Sequence, residues 1–166
     1  MEVYQMLPEG TLAEIINNQI FMSPSPLLKH QKILNKINNQ LYNFFEANGL
    51  GEVFTAPLDV YLDETSNAVQ PDIIVVLKEN FKIINENGPI HGIPDLLVEI
   101  LSPNNKEYDL IKKKDLYEHF GIKEYWIVDP ETKLALVYKL QEGKYQSIGD
   151  DIGSINSYLL NTRVEF

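Results

Sequence analysis

The sequence predicts an α/β fold: a mixed β-sheet with a helix packed on either side and a β-hairpin ahead of it. Three observations carry this. A segment near the N-terminus has the period of an amphipathic helix, three extended and largely apolar runs follow it, and a second helical segment leads into a continuous apolar strand. With 166 residues, 44% of them hydrophobic, the chain is long enough for one real core and short for two, so a single domain over 1–166 is expected. No internal repeat, low-complexity tract or Gly/Ser linker divides it.

The first element is the hairpin. LAEII and QIFMS are β-prone runs separated by Asn17-Asn18, residues that tolerate the positive φ of a tight two-residue turn. A helix follows, with Ser25 as N-cap and Pro26 as first helical residue. Its apolar face runs through Leu27, His30, Ile33, Leu34, Ile37, Leu41, Phe44 and Phe45, and Gly49 stops it. The period then becomes extended: EVFTAPLDVYLD, VQPDIIVVL and IPDLLVEILS read as three core strands bounded by Asn, Gly, Pro and Asp. A second helix covers NKEYDLIKKKDLYEHF and ends at Gly121, after which EYWIVD has the unbroken apolar character of a buried strand. Asp129-Pro130-Glu131-Thr132 turns the chain into LALVYKL, and KYQSI and the terminal TRVEF are expected to finish the sheet at an edge.

Composition narrows the function. Without cysteine there is no disulfide framework and no thiolate metal site, so a metal would rest on carboxylate, carbonyl or imidazole ligands, which suits hard ions such as Mg²⁺ or Mn²⁺. The opening MEVYQMLPEG has neither the basic flank nor the apolar run of a signal peptide, and no stretch is long and apolar enough for a membrane span. A soluble, cytoplasmic protein without membrane contact is the expectation. The 24 acidic and 14 basic residues give a net charge of −10, which excludes a general DNA-coating role. An acidic nuclease remains open, with a metal offsetting its central carboxylates and KEYDLIKKK supplying basic charge at a groove. No phosphate-binding G-x-x-x-x-G-K and no G-x-S-x-G elbow is present, so P-loop ATPase and α/β-hydrolase readings fall away.

Glu99 is the most informative residue, alone among large aliphatics in LLVEIL. A buried carboxylate needs a cation, a metal or a raised pKa; the bland alternative is a Glu on an outward face or paired with a structural Lys. Asp72 opens the apolar run QPDIIVV, where by itself it reads as a turn or strand-capping residue. Two neighbouring strands with one isolated carboxylate each can bring both to one hard cation. Asp95, beside Pro94 on the same face as Glu99, reads as structural. Lys113 lies four residues from both Asp109 and Tyr117, so the three share a helical face, and a surface Asp109–Lys113 pair is the plain reading. His30 reads as a core histidine, and Glu14 repeats the lone-carboxylate pattern in the shorter run LAEII.

These blocks, in the order LAEIINNQIFMSPSP, His30, QPDIIVV, PDLLVEILSP, YDLIKKKDLY and GIKEYWIVDP, resemble the bacterial Uma-type group of restriction endonuclease-like proteins over nearly the whole chain. The specific part runs from Pro94 to Pro130. That group is similar to the PD-(D/E)XK nuclease superfamily, so the resemblance implies a restriction-endonuclease-like fold and a divalent-metal-dependent endonuclease that hydrolyses DNA phosphodiester bonds. Asp72 would be the aspartate of the PD motif and Glu99 the central acid. Where the superfamily usually carries its lysine, two residues after Glu99, stands Leu101; the resemblance is to members whose lysine has moved to the next helix, which gives the role to Lys113. Glu14 resembles the additional N-terminal acid, with Asn18 in place of the Gly often found in the turn after it.

The metal, Mg²⁺ or Mn²⁺, would then be held by Asp72, Glu99 and the carbonyl of Ile100, with His30 and Tyr117 as outer or phosphate contacts. Two other classes stay open: a catalytically inactive binding module of the same fold, and a metal-dependent hydrolase of another phosphate ester. A nuclease that cuts both strands needs two active sites, so a homodimer through the Tyr-rich C-terminal strands is an expectation too.

Overall fold

A computed structural model of the chain describes residues 1–103, 106 and 108–166, with Asp109 described by its backbone alone. After a short helix α1 (Glu2–Gln5), strands β1 (Ala13–Ile16) and β2 (Gln19–Met22) form the expected hairpin. Asn17 and Asn18 take φ of 50° and 63° in its two-residue turn. Helix α2 (Leu28–Asn48) buries His30, Ile33, Leu34, Ile37, Leu41 and Phe45 along one face. It stops where Gly49 enters the left-handed region at φ 58°. The helix begins later than Ser25-Pro26 suggests. Leu27 occupies the N-cap in an extended conformation without a side-chain capping bond, because a residue before proline is steered away from the α region and Pro24 and Pro26 keep the approach extended. Leu27, placed on the apolar face from sequence, is exposed.

Two of the three anticipated core strands break at a proline. EVFTAPLDVYLD divides into β3 (Gly51–Thr55) and β4 (Val60–Tyr61), and VQPDIIVVL into β5 (Ala68–Val69) and β6 (Ile73–Leu77). Pro57 and Pro71 offer no N–H to a ladder, and at each break the chain passes from one sheet to another. The main sheet is six-stranded, in the order β11-β10-β9-β8-β6-β3, with β8 (Leu96–Ile100), β9 (Glu124–Val128), β10 (Leu134–Gln141) and β11 (Lys144–Ile152). A second, five-stranded sheet runs β2-β1-β5-β4-β7, with β7 at Ile90–His91. Strands β8 and β9 are parallel while β6 and β8 are antiparallel, so the sheet is mixed.

Each face of the main sheet is covered. Leu96, Val98 and Ile100 of β8 pack with Ile33, Ile37 and Leu41 of α2 on one side. On the other, Leu97 and Leu101 pack with Leu116 and Tyr117 of α3 (Lys114–Phe120) and with Ile16, Val60 and Val69 of the second sheet. Period-two alternation divides β8 between the two cores, and all five of its residues are buried. The second helical segment is not uniform. Tyr108–Lys113 form a wide π-helical turn that runs into α3, which ends with Gly121 at φ 82°. The start expected for this helix, at Asn105, lies outside the described residues. The terminal TRVEF does not extend the main sheet: β13 (Thr162–Glu165) pairs with β12 (Ser154–Ser157) in a separate hairpin, because Ile155, Leu160, Val164 and Phe166 are drawn onto the α2-side core. No helix among the described residues is long and apolar enough to cross a membrane.

Candidate functional site

Glu14 and Ile16 alternate with Ala13 and Ile15 along β1, so Glu14 shares the face that Ile16 buries toward α3. By the same alternation Glu99 lies on the α3 side of β8, between Leu97 and Leu101. Two carboxylates from different sheets thus meet one helix. Lys113, at the junction of the wide turn and α3, places Nζ 2.8 Å from Glu99 Oε1 and 2.9 Å from Glu14 Oε1. All three side chains are at most 5% exposed. The Lys113–Glu99 contact is a hydrogen bond, and one helical turn later Tyr117 donates its hydroxyl to the same Oε1 at 2.8 Å. Burial first, and the charges of Glu99 and Glu14 next, push the Tyr117 hydroxyl far above its ordinary range, so it acts as a neutral donor.

Asp72 stands where the chain leaves the second sheet and enters β6. The β6–β8 register pairs Ile73 with Val98; one step further sets Asp72 opposite Glu99. Its Oδ2 accepts the backbone N–H of Ile100 at 2.6 Å and lies 3.1 Å from His30 Nε2. The other ring nitrogen of His30, Nδ1, is buried and has no partner among the described residues. Glu14, His30, Asp72, Glu99, Tyr108 and Lys113 line one cavity of about 430 Å³.

The structure therefore brings together Glu14, Asp72, Glu99, Lys113, His30, Tyr117 and the Ile100 backbone. Asp95 is held elsewhere, by Lys123 Nζ at 2.6 Å and the Leu77 N–H at 2.8 Å. The Asp109–Lys113 pair rests on a side chain outside the described ones; Lys113 itself is buried rather than on a surface face. Sequence reasoning missed Gln70, whose N–H donates to Glu14 and whose Nε2 donates to Thr11 O and Asp59 Oδ1. Its position beside Pro71, at the crossing between sheets, is the only signal. Glu124, wholly buried on β9, was also missed.

Three carboxylates around one lysine and one histidine make an oxygen-rich, net-acidic cavity, and this donor chemistry fits a hard divalent cation. Among the described residues, however, no three His, Asp or Glu side chains form a ready-made cage. Asp72 is occupied by His30 and the Ile100 N–H, and Glu99 by Lys113 and Tyr117. A cation would enter by exchanging some of these contacts.

A crystal structure from Anabaena variabilis, titled as that of "a putative nuclease belonging to DUF820", superposes with a TM-score of 0.77 at 22% identity, covering 96% of this chain and 89% of that one. At that identity the likeness establishes the fold alone, a mixed α/β architecture shared with that protein. No curated protein matches the chain. The family model that does match, Uma2, described as "Putative restriction endonuclease", spans residues 1–154 of 166, and the chain belongs to that family.

Proposed function

We propose that the protein is a divalent-metal-dependent endonuclease that hydrolyses DNA phosphodiester bonds. The observation that carries the reading is the convergence of Glu14, Asp72, Glu99 and Lys113, from four separate stretches of chain, at one cavity, with the lysine buried between two carboxylates. Such a cluster is costly to bury for stability alone, and desolvated charge gathered at a cavity is what functional sites collect.

Asp72 and Glu99, with the carbonyl of Ile100, are the groups that would hold Mg²⁺ or Mn²⁺; when bound, the ion would neutralise phosphoryl charge and acidify a water. Lys113 keeps an ammonium at the cavity floor, aimed at the same oxygens, and is the group to orient a water for in-line attack or steady a phosphoryl oxygen. Tyr117 fixes the Glu99 carboxylate, and the Gln70 N–H fixes Glu14, so neither acid swings away. His30, bonded to Asp72 through Nε2, positions that carboxylate and is an outer contact of the site.

The test is cleavage of supercoiled plasmid and of single-stranded DNA by wild type and Asp72→Ala, with Mg²⁺, Mn²⁺ or EDTA. Metal-dependent cutting that falls at least about a hundredfold in the variant is expected, the upper end of what even outer-shell partners contribute. No cutting under any condition, with no cation bound by calorimetry, would overturn the reading. A second reading, an inactive binding module of the same fold, is favoured by the closed pairing of Asp72 and Glu99 with the protein's own donors, and that null result would select it.

A further inference from the structure

A second cavity, of about 690 Å³, opens between the β1–β2 hairpin and α3 and is lined by Gln19, Phe21, Asn67, Lys112, His119 and Phe120. Its wall toward the first cavity is aromatic. Phe21 faces this cavity and Tyr108 faces the other, with ring centroids 4.9 Å apart. The exposed Lys112 holds Nζ 4.9 Å from the Phe21 centroid and 5.9 Å from that of Tyr108, while Lys113 Nζ lies 5.7 Å from Tyr108 on the reaction side. Aromatic rings flanked by a solvent-accessible cation are the means by which proteins hold unpaired nucleotides, the base on the ring and the phosphate at the ammonium.

Two further features favour a single strand over a duplex. Among the described residues Lys112 is the sole lysine lining the second cavity, the chain's one arginine is Arg163 on the β12–β13 hairpin, and the net charge is −10. Duplex binding draws most of its strength from many phosphate contacts, which this surface does not offer; stacking does not need them. In addition, Glu14, Glu99 and Lys113 sit at most 5% exposed on the floor of their cavity, a depth that a strand reaches once it has left the duplex. Two acids also line this cavity: Asp63 is spent on its own turn, accepting from the Thr65 and Ser66 N–H groups and from Asn67 Nδ2, while Asp115 is exposed to solvent, where water screens its charge.

Building on the nuclease reading, we propose that the groove between the β1–β2 hairpin and α3 binds the unpaired DNA segment flanking the scissile phosphate, with Phe21 as stacking platform and Lys112 as phosphate contact, so that single-stranded or locally unpaired DNA is the substrate. The experiment is fluorescence anisotropy in EDTA, with a labelled oligothymidylate of about 12 nucleotides, within the roughly 4–16 that one such site spans, and a duplex of the same length. Wild type is expected to bind the single strand at least about tenfold tighter. Phe21→Leu keeps apolar bulk and removes the π face; it should weaken single-strand binding about 5- to 100-fold with an unchanged melting temperature, and Phe21→Trp should restore it. Equal affinity for the two DNA forms, no binding of either, or a Phe21→Leu protein that binds as wild type overturns the groove. Single-strand binding without metal-dependent cutting would instead sink the nuclease reading and leave the groove standing, while cutting with a preference for duplex would do the reverse.

Discussion

The parallel pair β8/β9 carries buried acids at both of its ends, and the ends behave differently. At the amino end Asp95 and Glu124 are enclosed by donors that belong to the scaffold: Glu124 accepts from Trp126 Nε1 at 2.7 Å, Ser157 Oγ at 2.8 Å and the Leu159 N–H at 2.7 Å. At the carboxyl end Glu99 and Asp72 face a cavity and are met by a buried lysine and a histidine. Burial of a carboxylate alone thus does not mark a site. Scaffold donors, neutral at Glu124 and joined at Asp95 by the largely exposed Lys123, hold the amino-end acids in place, whereas a buried, shared ion pair beside open space leaves room for exchange with a ligand. In α/β sheets it is the carboxyl ends of strands that loops and helix starts surround, which is why ligand sites gather there.

The comparison can be broken by taking away the charge that distinguishes the two ends. Lys113→Met leaves Glu14 and Glu99 facing one another without their shared cation, and a loss of about 3–5 kcal/mol in urea unfolding is expected, as for other buried pairs deprived of one partner. A stability within 1 kcal/mol or so of wild type would mean that the carboxylates relax into water and that the cluster is not truly buried.

A paired substitution sharpens the contrast. Glu124→Gln should cost about 1–3 kcal/mol, since one buried donor loses its acceptor, yet leave the response to Mn²⁺ intact. Glu99→Gln should abolish that response. In a thermal melt, a cation at a hundred times its dissociation constant stabilises the protein by about 2.7 kcal/mol. Retention of this shift in Glu99→Gln, or its loss in Glu124→Gln, would exchange the roles assigned to the two ends.

The smallest effect is expected at Asp129, just beyond β9 on the cavity side. Burial by itself would raise its carboxyl, but hydrogen bonds from Lys106 Nζ and the Glu131 N–H outweigh that and hold it below the ordinary 3.8. With the folded value depressed, the contribution is fully present above 3.8 and fades as pH falls through the lower folded value. Asp129→Asn should therefore flatten the acid limb of a stability–pH curve slightly and leave neutral pH behaviour to the lost bond alone; an unchanged acid limb would show that the Lys106 pair contributes nothing measurable.

The sequence by itself determined those parts of the protein that local pattern encodes. The hairpin turn is written in Asn17-Asn18, α2 in its apolar period and Gly49, and the buried status of β8 in an unbroken aliphatic run, because turn geometry and burial periodicity act over a few residues. Glu99 stood out for the same reason: one charge among aliphatics has to be compensated somewhere. Tyr117 could be placed on the face of Lys113 from helical spacing. The partners were not legible. Glu14 and Lys113 are held together by the stacking of two sheets that the sequence suggested as one, since Pro57 and Pro71, which look like local kinks, are the points where the chain changes sheets. That change puts Asp72 opposite Glu99 and Gln70 against Glu14. Glu124 escaped notice although it is as buried as Glu99, because two of its three donors come from β12 and the turn after it, which no periodicity within β9 reports; only Trp126 lies on its own strand. Tertiary packing decided which acids became scaffold and which met at a cavity, for the physical reason that the free energy of a buried charge depends on groups brought beside it from elsewhere in the chain.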